Sequence, residues 1–517
     1  MNEFKKFYIT TSILYASALP HIGNIYEIIL ADVIARFKRL DGYDVFFQTG
    51  TDEHGQKIEQ NALKQNLSPQ TYVQKISAQI KNIFDKVNIQ YDNFIQTSEP
   101  KHKKTVQLII DKLLAKGDIY LGVYEGWYSV SEESYIMPKD LIDGKTLNGE
   151  VPVWTKESVY FLKLSRYQER LISYLNNENH LVLPTDKKKE MLNLLGTPLP
   201  DLSISRTSFK WGIPFNFDNQ HIVYVWIDAL SNYLSGLDYR PINSSQKQPS
   251  SFVRYWPCDL HVIGKDISRF HLIYWPILLM ALDLPFPKQF LIHPWILFNN
   301  RKMSKSTNNV IYVDDLLKTF SVDAIRYFVL HETPYASDGT LTNELLLERY
   351  NTDLVNNLGN LLSRTLGMIA NYSHYRLSKP LSMNTNSLTH MIDLPKEALA
   401  LLPTVRKEMT FFRVGDALEK IMKLVRLCNK YIDLIQPWNL VKSVSEKTTL
   451  NTFLYNLIET LRFIGVVLKP FLPYTADMIL TQIKAEATSF ASLKQFNVTQ
   501  SKFLYPQEKL FERLEKI

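Results

Sequence analysis

The 517-residue sequence predicts an α/β domain that is interrupted by an insertion and followed by an all-α region. Aromatic and β-branched residues at positions 7–15 predict a strand, and Pro20 then breaks the chain. From Asn24 to Leu40 apolar residues recur at three- and four-residue spacing, which predicts a helix with Gly42 as its C-cap. Similar spacing dominates after Leu345 and is typical of bundled helices.

The loop between this first strand and first helix is a candidate nucleotide site. A strand, loop and helix in this order begin a Rossmann-like parallel sheet, in which the loop faces the ligand crevice. The start of the helix offers backbone N–H groups and a positive dipole end to phosphates. His21 and Gly23, in the sequence PHIGN, therefore lie where a nucleotide would bind.

Residues 44–48 predict the second strand, and the segment TGTDEHG follows it directly. An acidic side chain at the carboxyl edge of a strand can pair with an ammonium group or a metal. Thr51 or Asp52 could instead cap the next helix, which is the structural alternative. Two amphipathic helices predicted between residues 68 and 116 complete the first half of the sheet domain.

Residues 120–207 differ in character and predict the insertion. Short aromatic and β-branched runs alternate there with turn signals such as Asp143-Gly144 and Asn148-Gly149. The chain has only two cysteines, Cys258 and Cys428, and they form no C-x-x-C pair. This count excludes a disulfide framework and provides no cysteine pair for zinc.

Further strands are predicted after the insertion. Residues 221–227 (HIVYVWI) are an apolar run of buried-strand length that leads into the sequence WIDALSNY. Residues 260–263 predict the next strand. Gly264, which follows it, permits close approach of a backbone to a ligand, and Asp266 could accept hydrogen bonds from ribose hydroxyls.

Strands predicted at residues 290–292 and 295–298 precede the segment RKMSKSTNN. Its two lysines, Lys302 and Lys305, could grip a polyphosphate, since a lysine head is a compact point charge. A solvated surface loop is the alternative for an isolated K-x-x-K sequence. Together, HIGN and KMSKS resemble the paired signatures of class I aminoacyl-tRNA synthetases. The sequences TDEHG, EGWYS, VWIDALSNY and GKDISRFH are similar to those of the methionyl-tRNA synthetase family.

This resemblance implies an ATP-dependent methionine–tRNA ligase. The enzyme would join L-methionine to ATP, which carries Mg²⁺, release pyrophosphate, and transfer methionine to the 3′ end of tRNA(Met). For Trp226 alone, the alternative to a place in the methionine pocket is a purely structural place in the hydrophobic core. The resemblance assigns ATP to His21, Gly23, Asn24, Gly264, Asp266, Lys302, Ser304 and Lys305, with His21, Asn24, Lys302 and Lys305 catalytic. It assigns methionine to Ile13, Tyr15, Asp52, Trp226, Ala229, Tyr233, Ile267, His271 and Trp275, with Asp52 on the amino group.

Two places depart from the family pattern. Asn24 stands where the HIGH signature has a second histidine, and residues 307–309 read Thr-Asn-Asn in place of Leu-Gly-Asn. The alternatives are a catalytically weakened tRNA-binding paralogue or another class I synthetase. The insertion is too short for the editing domain of the leucyl, isoleucyl and valyl enzymes, and a cysteinyl enzyme would require zinc-type cysteines. A simple nucleotidyltransferase would not need the long helical third.

The helical third carries the positive charge of the chain. The net charge is +7, and residues 351–517 contain 21 Lys and Arg against 14 Asp and Glu, a difference of 7. A basic excess of this size suits RNA, although many helical domains carry as much. Helices are predicted at 345–369, at 394–434 with a break at Pro403, and at 449–480 with breaks at Pro470 and Pro473.

By resemblance, the side chains that read the anticodon are Asn360, Arg364 and Trp438. Single-stranded loops are bound by stacking on aromatic rings and by hydrogen bonds to base edges, which these three side chains can provide. The alternative is that Trp438 caps the bundle core and that Arg364 pairs with a nearby acid.

The resemblance therefore implies a Rossmann-like catalytic domain with an inserted connective-peptide domain, followed by an all-α anticodon-binding bundle. We also expect no structural zinc, no membrane association, no C-terminal dimerisation domain, a monomeric state and a cytoplasmic location. The predicted domains are 1–118 (first half of the catalytic domain), 119–219 (connective peptide), 220–300 (second half), 301–347 (KMSKS loop and stem-contact region) and 348–517 (anticodon-binding domain).

Overall fold

A computed structural model describes residues 5–129, 134–136, 141–146, 149–177, 181–241, 247–303, 309–380 and 392–515. Its strands are β1 (Lys6–Thr11), β2 (Leu14–Tyr15), β3 (Asp44–Asp52), β4 (Asn93–Gln96), β5 (Ile119–Ser129), β6 (Ser134–Ile136), β7 (Val153–Leu162), β8 (Val182–Leu183), β9 (Leu202–Ser203), β10 (Ser205–Arg206), β11 (Ile222–Val223), β12 (Leu260–Gly264), β13 (Phe290–His293), β14 (Ile296–Phe298), β15 (Arg301–Lys302), β16 (Gly339–Leu341), β17 (Arg376–Leu377) and β18 (Lys502–Phe503).

The α-helices are α1 (Ile22–Leu40), α2 (Gln56–Lys64), α3 (Pro69–Lys86), α4 (Pro100–Ala115), α5 (Gln168–Asn177), α6 (Asp186–Leu194), α7 (Val225–Leu230), α8 (Asn232–Ser235), α9 (Ser250–Tyr255), α10 (Trp275–Ala281), α11 (Val313–Leu316), α12 (Val322–His331), α13 (Asn343–Arg349), α14 (Asn360–Ser373), α15 (Leu394–Thr410), α16 (Val414–Ile435), α17 (Pro437–Leu440), α18 (Lys447–Leu468) and α19 (Pro473–Gln482). Segments of π-helix span Phe270–Tyr274 and Tyr350–Gly359, and 3₁₀ turns span Ser165–Tyr167, Lys265–Ile267, Val444–Glu446 and Phe490–Lys494. In the described ranges, no helix combines the length and apolar character that a membrane crossing requires.

The chain divides into two compact units. The first unit contains Met1–Pro20 and Asp44–His293, and the second contains His21–Tyr43 and Pro294–Ile517. The helix that carries the HIGN sequence thus groups with the C-terminal half, whereas the predicted domain 1–118 includes it with the first strands.

A parallel sheet forms the core of the first unit, as the strand-like runs predict. Its strand order is β2-β3-β1-β12-β13-β8, and β4 also pairs with β3. Strand β3 extends beyond the predicted residues 44–48 and ends at Asp52. Helix α2 takes Gly55 as its N-cap, so the alternative that Thr51 or Asp52 caps this helix is wrong. The reason is that both residues belong to the strand, where Thr51 donates its hydroxyl to Glu53 at 2.8 Å.

The predicted insertion folds largely as an antiparallel sheet in the order β6-β5-β7-β9. Its long pair, β5 and β7, is in register from Ile119 opposite Leu162 to Tyr128 opposite Val153. Strand β8, however, lies within the same predicted segment and pairs in parallel with β13 of the main sheet. The segment 119–219 therefore also contributes a strand to the parallel sheet of the first unit.

One prediction in the first unit is wrong. Residues 221–227 do not form one strand, because β11 contains only Ile222–Val223 and α7 begins at Val225. An apolar run that is buried on all sides has no helical or strand periodicity, so its sequence does not distinguish the two. The two helices predicted between residues 68 and 116 are confirmed as α3 and α4, and β4 lies in the connection between them.

A buried ion cluster joins α1 to α12 in the second unit. Asp32 accepts hydrogen bonds from Arg36 at 2.8 Å and from Arg326 at 2.7 Å, and the side chains of Asp32 and Arg326 are fully buried. Arg326 also donates to the carbonyls of Phe471 at 2.9 Å and Pro470 at 3.1 Å. Charged side chains are rarely buried without partners, and these hydrogen bonds supply partners for the Asp32 carboxylate and the Arg326 guanidinium group.

A small sheet of β15-β14-β16 leads into the RKMSKS segment. Asn299 and Asn300 join β14 to β15 with φ values of 50° and 60°, a left-handed conformation that asparagine tolerates. The predicted boundary between residues 300 and 301 falls at the end of this turn. The boundary between 347 and 348 falls inside α13.

The C-terminal half of the second unit is helical, as predicted, with one misplaced break. Pro403 lies inside α15, and the chain turns instead after Thr410, where Phe412 has a φ of 55°. Proline removes one helical hydrogen bond, whose acceptor would be the carbonyl of Leu399. Leu399 is exposed, so water can satisfy that carbonyl. The break at Pro470 and Pro473 is confirmed between α18 and α19.

Candidate active site

The HIGN sequence builds the N-terminus of α1. His21 is the N-cap, and its Nδ1 accepts a hydrogen bond from the Gly23 N–H at 3.1 Å. Asn24 Oδ1 accepts in turn from the His21 N–H at 3.1 Å, which completes a capping box. Asn24, the departure from the HIGH signature, thus stabilises the helix end. Since Nδ1 of His21 accepts, a neutral ring carries its proton on Nε2, which is a hydrogen-bond donor.

Gly23 brings the two signature segments together within the second unit. A Cβ atom at this position would lie 3.0 Å from Cε of Met303 and 3.1 Å from Nδ1 of His21. The backbone N–H of Ile22 donates to the carbonyl of Ile311 at 2.9 Å. Gly23 thus allows a close approach, because a larger residue would push the end of Met303 or the His21 ring away by a few tenths of an ångström.

The described ends of the lysine-rich segment are fixed by side-chain contacts. Lys302 places its ammonium 4.0 Å from the centroid of the Trp295 ring. The Asn309 amide donates to the carbonyls of Phe298 at 3.2 Å and of Arg301 and Lys302 at 3.3 Å. The predicted site residues Ser304 and Lys305, and the departures Thr307 and Asn308, lie outside the described residues.

In the first unit, Gly264 and Asp266 occupy the carboxyl end of β12. A Cβ atom on Gly264 would lie 2.6 Å from Oδ1 of Asp266, so the glycine leaves room for this carboxylate. Asp266 is exposed and lies in the 3₁₀ turn that follows the strand. The carboxylate is thus held at a strand end, where nucleotide ribose groups are bound in open parallel sheets.

An aromatic cluster contains four of the nine side chains predicted to surround methionine. Trp226 is half-buried and stacks on Phe270, with ring centroids 3.6 Å apart. Tyr233 lies 5.8 Å from the His271 ring and 5.4 Å from the Trp275 ring. Trp226 is half-buried and packs against the hydrophobic core, whereas Tyr233 and Trp275 are buried within it.

Hydrogen bonds fix His271 as a neutral ring. Its Nδ1 donates to the carbonyl of Ile267 at 3.1 Å, so its Nε2 accepts from the Tyr233 hydroxyl at 2.7 Å. Burial lowers the pKa of His271 to about 4, although the Ile267 carbonyl and Asp266 oppose this shift. Burial also lowers the pKa of His261, which accepts from the Trp275 indole at 3.1 Å. Both histidine rings of the aromatic cluster are therefore neutral at pH 7.

We expect acidification from pH 6.5 towards pH 4 to destabilise the protein. His271 stays neutral in the folded state down to about pH 4, whereas in the unfolded chain it protonates near 6.5. The unfolded state therefore binds more protons in this window, and unfolding becomes easier as the pH falls. At about 1.4 kcal/mol per pKa unit, His271 accounts for on the order of 3 kcal/mol by pH 4.

Urea unfolding at pH 7 and pH 5 measures this effect in the His271→Gln variant. This variant should lose less stability on acidification than the wild type. His374→Asn, which changes an exposed histidine, is the matched control and should show the full loss. Equal losses in all three proteins would contradict the role of His271.

Asp52, which is predicted to meet the amino group, lies at the end of β3, and Tyr15, which is predicted to line the methionine pocket, lies at the end of β2. Tyr15 pairs with Asp52 across these parallel strands, and Ala16 donates its N–H to the carbonyl of Asp52 at 2.8 Å. Ile13 is partly buried between β1 and β2, and Ala229 is buried in α7. The predicted methionine residues thus form one group around Tyr15 and Asp52 and a second group around Trp226 and Tyr233.

Sequence reasoning missed the buried polar links of this region. His54 and His102 each lie 2.6 Å from the carboxylate of Asp228, and Gln48 donates to Asn232 at 2.8 Å. His54 and Asp228 were both visible in the TDEHG and WIDAL sequences. Their pairing was not, because 174 positions separate them.

The predicted anticodon residues lie on the helical region of the second unit. Asn360 is exposed at the start of α14, and Trp438 in α17 is 41% exposed. Trp438 is therefore not a core residue. Arg364 donates to Asp433 at 2.8 Å, which is the pairing with an acid that the alternative proposed. Asp433 is itself 65% exposed, so this pair is open to solvent and weak.

The described residues contain no group of three or more His, Cys, Asp or Glu side chains that could hold a metal ion. Cys258 and Cys428 are both buried as free thiols. Residues 131–133, which belong to the insertion that is expected to hold no zinc, lie outside the described residues. The absence of structural zinc therefore stays a prediction from the sequence.

Two protein-family models match the chain. The model described as tRNA synthetases class I (M) matches residues 7–145 and 134–366. The anticodon-binding domain of tRNA ligase matches residues 396–517. These matches include both signature segments and most of the helical third.

Characterised proteins resemble the chain over nearly its full length. The methionine–tRNA ligase of Clostridium acetobutylicum is 44% identical over 526 residues, covering 100% of this chain and 80% of the relative. That of Clostridium perfringens is 46% identical over 497 residues, covering 96% of this chain and 76% of the relative. The crystal structure of Mycobacterium tuberculosis methionyl-tRNA synthetase bound by methionyl-adenylate matches with a TM-score of 0.92 and 36% identity, covering 98% of this chain and 100% of that chain.

Proposed function

Because the chain belongs to the methionyl-tRNA synthetase family of class I tRNA synthetases, we propose which of its residues carry each step of the reaction. The protein activates L-methionine with ATP and then charges tRNA with it. In the first step a methionine carboxylate oxygen attacks the α-phosphorus of ATP, and pyrophosphate leaves. In the second step a terminal hydroxyl of the tRNA takes the methionyl group, and AMP leaves.

The activation step needs positive groups rather than a protein nucleophile. Negative charge spreads onto the leaving pyrophosphate, so preorganised donors and cations lower the barrier. We assign this role to Lys302, Lys305 and Ser304 at the β- and γ-phosphates and to the Nε2–H donor of His21. Mg²⁺ would enter with ATP, held chiefly by phosphate oxygens and water.

Gly23 and Asn24 complete the phosphate side of the proposal. Gly23 lets Met303 approach, and Asn24 keeps His21 in its N-cap position while its amide NH₂ remains a donor chemically suited to phosphate. Gly264 and Asp266 are assigned to the ribose of ATP. In the HIGH signature this position is a histidine, which can carry a positive charge that Asn24 cannot. Asn24 nevertheless accepts the hydrogen bond that holds His21 in its N-cap position.

We place methionine against the aromatic cluster, with its ammonium on Asp52. The thioether is unbranched and polarizable and suits contact with aromatic rings. Trp226, Tyr233 and His271 supply such a surface, and the pair Tyr15 and Asp52 lies at the polar end. Ile13, Ala229, Ile267 and Trp275 fill the remaining wall in this assignment.

The observation that best supports activation is the contact between the two signatures, with Met303 against Gly23 and the His21 cap. Methionine-dependent exchange of pyrophosphate into ATP tests this function directly. We expect exchange with L-methionine and little with the other nineteen amino acids. A catalytically inactive tRNA-binding paralogue would show none, and another class I synthetase would respond to a different amino acid.

For the tRNA, we propose that Asn360, Arg364 and Trp438 contact the anticodon. Trp438 is exposed beside Leu434 and Val441, which are also exposed, so a base could stack there. Stacking on an aromatic ring is worth about 1–3 kcal/mol per base. The Arg364 and Asp433 pair would open when Arg364 turns to a base edge.

Trp438→Ala is expected to raise the KM for tRNA by about 5- to 150-fold, the equivalent of one lost stack. Pyrophosphate exchange with methionine should stay unchanged, since activation does not involve the anticodon. Tyr474→Ala, which removes another exposed aromatic ring of the helical region, is the matched control and should charge normally. Normal charging by Trp438→Ala, or a parallel loss of exchange, would exclude the assigned role.

We further propose that the protein acts as a monomer in the cytoplasm. Both cysteines are buried free thiols, which fits a reducing compartment. Mass measurement in solution, with and without tRNA, tests the monomeric state.

A further inference from the structure

Two buried polar links tie strand β3 to the segment α7–α8 in the first unit. Strand β3 ends at Asp52, the proposed ammonium anchor. Helices α7 and α8 carry Trp226, Ala229 and Tyr233, which are proposed to contact the methionine side chain. The links therefore join the parts of the chain that hold opposite ends of the amino acid.

The first link is formed by Gln48 and Asn232. Nε2 of Gln48 donates to Oδ1 of Asn232 at 2.8 Å and to its carbonyl at 3.0 Å. Asn93 donates to Oε1 of Gln48 at 3.1 Å, which orients the amide. Gly236 makes room for it, because a Cβ atom there would lie 1.7 Å from Oε1 of Gln48.

The second link is formed by His54 and Asp228. Nδ1 of His54 lies 2.6 Å from Oδ2 of Asp228, and Nε2 of His102 lies 2.6 Å from Oδ1. Ser235 lies 2.7 Å from Nδ1 of His102, and all four side chains are buried. Burial raises the pKa of Asp228, but the two histidines outweigh it and lower the pKa to about 2. The carboxylate is therefore charged and accepts from both rings.

Stability alone does not explain a histidine at position 54. Its Nε2 is buried and has no hydrogen-bond partner among the described residues, which costs free energy. An apolar side chain would avoid that cost. Directional bonds to a buried charge, in contrast, allow one geometry only and resist repacking.

We infer that the His54–Asp228 and Gln48–Asn232 links are positioning elements that set the distance between Asp52 and the side-chain pocket and thereby select the length of the amino acid. Asp52 lies between the two links, four residues after Gln48 and two before His54. Its backbone is consequently fixed on both sides relative to α7 and α8. The inference rests on the proposed roles of Asp52, Trp226 and Tyr233 in binding methionine.

Methionine, ethionine and norleucine together distinguish an effect of side-chain length from an effect of side-chain chemistry. Ethionine is longer than methionine by one methylene, whereas norleucine has the length of methionine without its sulfur. A fixed distance should reject ethionine, and one methylene is worth about 10- to 200-fold in kcat/KM. Loosening the links should weaken this rejection and leave the preference for methionine over norleucine unchanged.

The test is pyrophosphate exchange by His54→Leu and Gln48→Met with these three substrates. In both variants we expect the kcat/KM ratio of methionine to ethionine to fall about tenfold. The KM for methionine should rise, the KM for ATP should not change, and the ratio of methionine to norleucine should be that of the wild type. His54→Asn, whose amide can donate to Asp228 from the Nδ1 position, should restore the ethionine ratio.

Tyr167→Phe is the matched control, since it removes a buried hydrogen bond to Asp118 at 2.9 Å in another part of the first unit. It should leave all ratios unchanged. Proportional losses for all three substrates in His54→Leu or Gln48→Met would reduce the links to a structural role and overturn the inference. If His54→Leu does not fold, Gln48→Met decides. Absence of methionine exchange in the wild type would instead overturn the proposed function.

Discussion

Replacing Lys305 by alanine is expected to lower the kcat of pyrophosphate exchange by about 100-fold, the effect of losing one preorganised donor to transition-state charge. The KM for methionine should stay nearly unchanged, because the lysine is assigned to the phosphates. Lys305 lies outside the described residues, but both ends of its segment are fixed. Lys302 contacts Trp295, and the Asn309 amide binds the Lys302 carbonyl at 3.3 Å.

Lys318→Ala is the control for this prediction. Lys318 is 74% exposed and pairs with Asp315 at 2.8 Å, outside the signature segment. The Lys318→Ala variant should exchange pyrophosphate at the wild-type rate. A loss of kcat in both variants would show that the overall positive charge of the protein matters, not Lys305 in particular. An unchanged kcat in Lys305→Ala would show that Lys305 is not catalytic.

Asp32→Ala is expected to lower the free energy of unfolding by about 3–5 kcal/mol, the cost of leaving a buried charge without its partner. Asp32 lies between Arg36 and Arg326, and the Asp32 and Arg326 side chains are fully buried. Without the carboxylate, two guanidinium groups would face each other inside the second unit. Because α1 begins at the His21 cap, exchange activity should also become more sensitive to urea.

Asp41→Ala is the matched control at the C-cap of the same helix, α1. Asp41 pairs with Arg406 at 2.6 Å, but Arg406 is 43% exposed. Such a solvent-exposed pair is worth about 0.2–1 kcal/mol. Urea unfolding of both variants measures the difference, and equal losses would show that the Asp32 cluster contributes no more than a surface pair.

Much of the fold could be predicted from local patterns in the sequence. The strand-like run before Pro20, the helical spacing after Asn24 and the short strand at 260–263 each correspond to an element, β1, α1 and β12. Such elements are amphipathic or bounded by strong turn residues, so a short window contains the information. The two breaks between α18 and α19 were equally visible, because proline marks them directly.

Features that depend on distant partners were not predictable in this way. Asp228 meets His54 across 174 positions, and Gln48 meets Asn232 across 184. No local sequence pattern indicates that two residues so far apart in the chain form a hydrogen bond. Residues 225–227 of helix α7 fall in the predicted strand because five of the six side chains of this helix are buried, which leaves no helical periodicity in the sequence. Asn24 looked like a weakened catalytic residue from the sequence, whereas its Oδ1 completes the helix cap of His21.

A crystal structure of the protein with bound methionine is the most direct test of the site assignment. The account predicts the ammonium on the carboxylate of Asp52 and the thioether against Trp226, Tyr233 and His271, with Tyr15 beside the ligand. A methionine side chain that lies away from Tyr15 and Trp226 would contradict it.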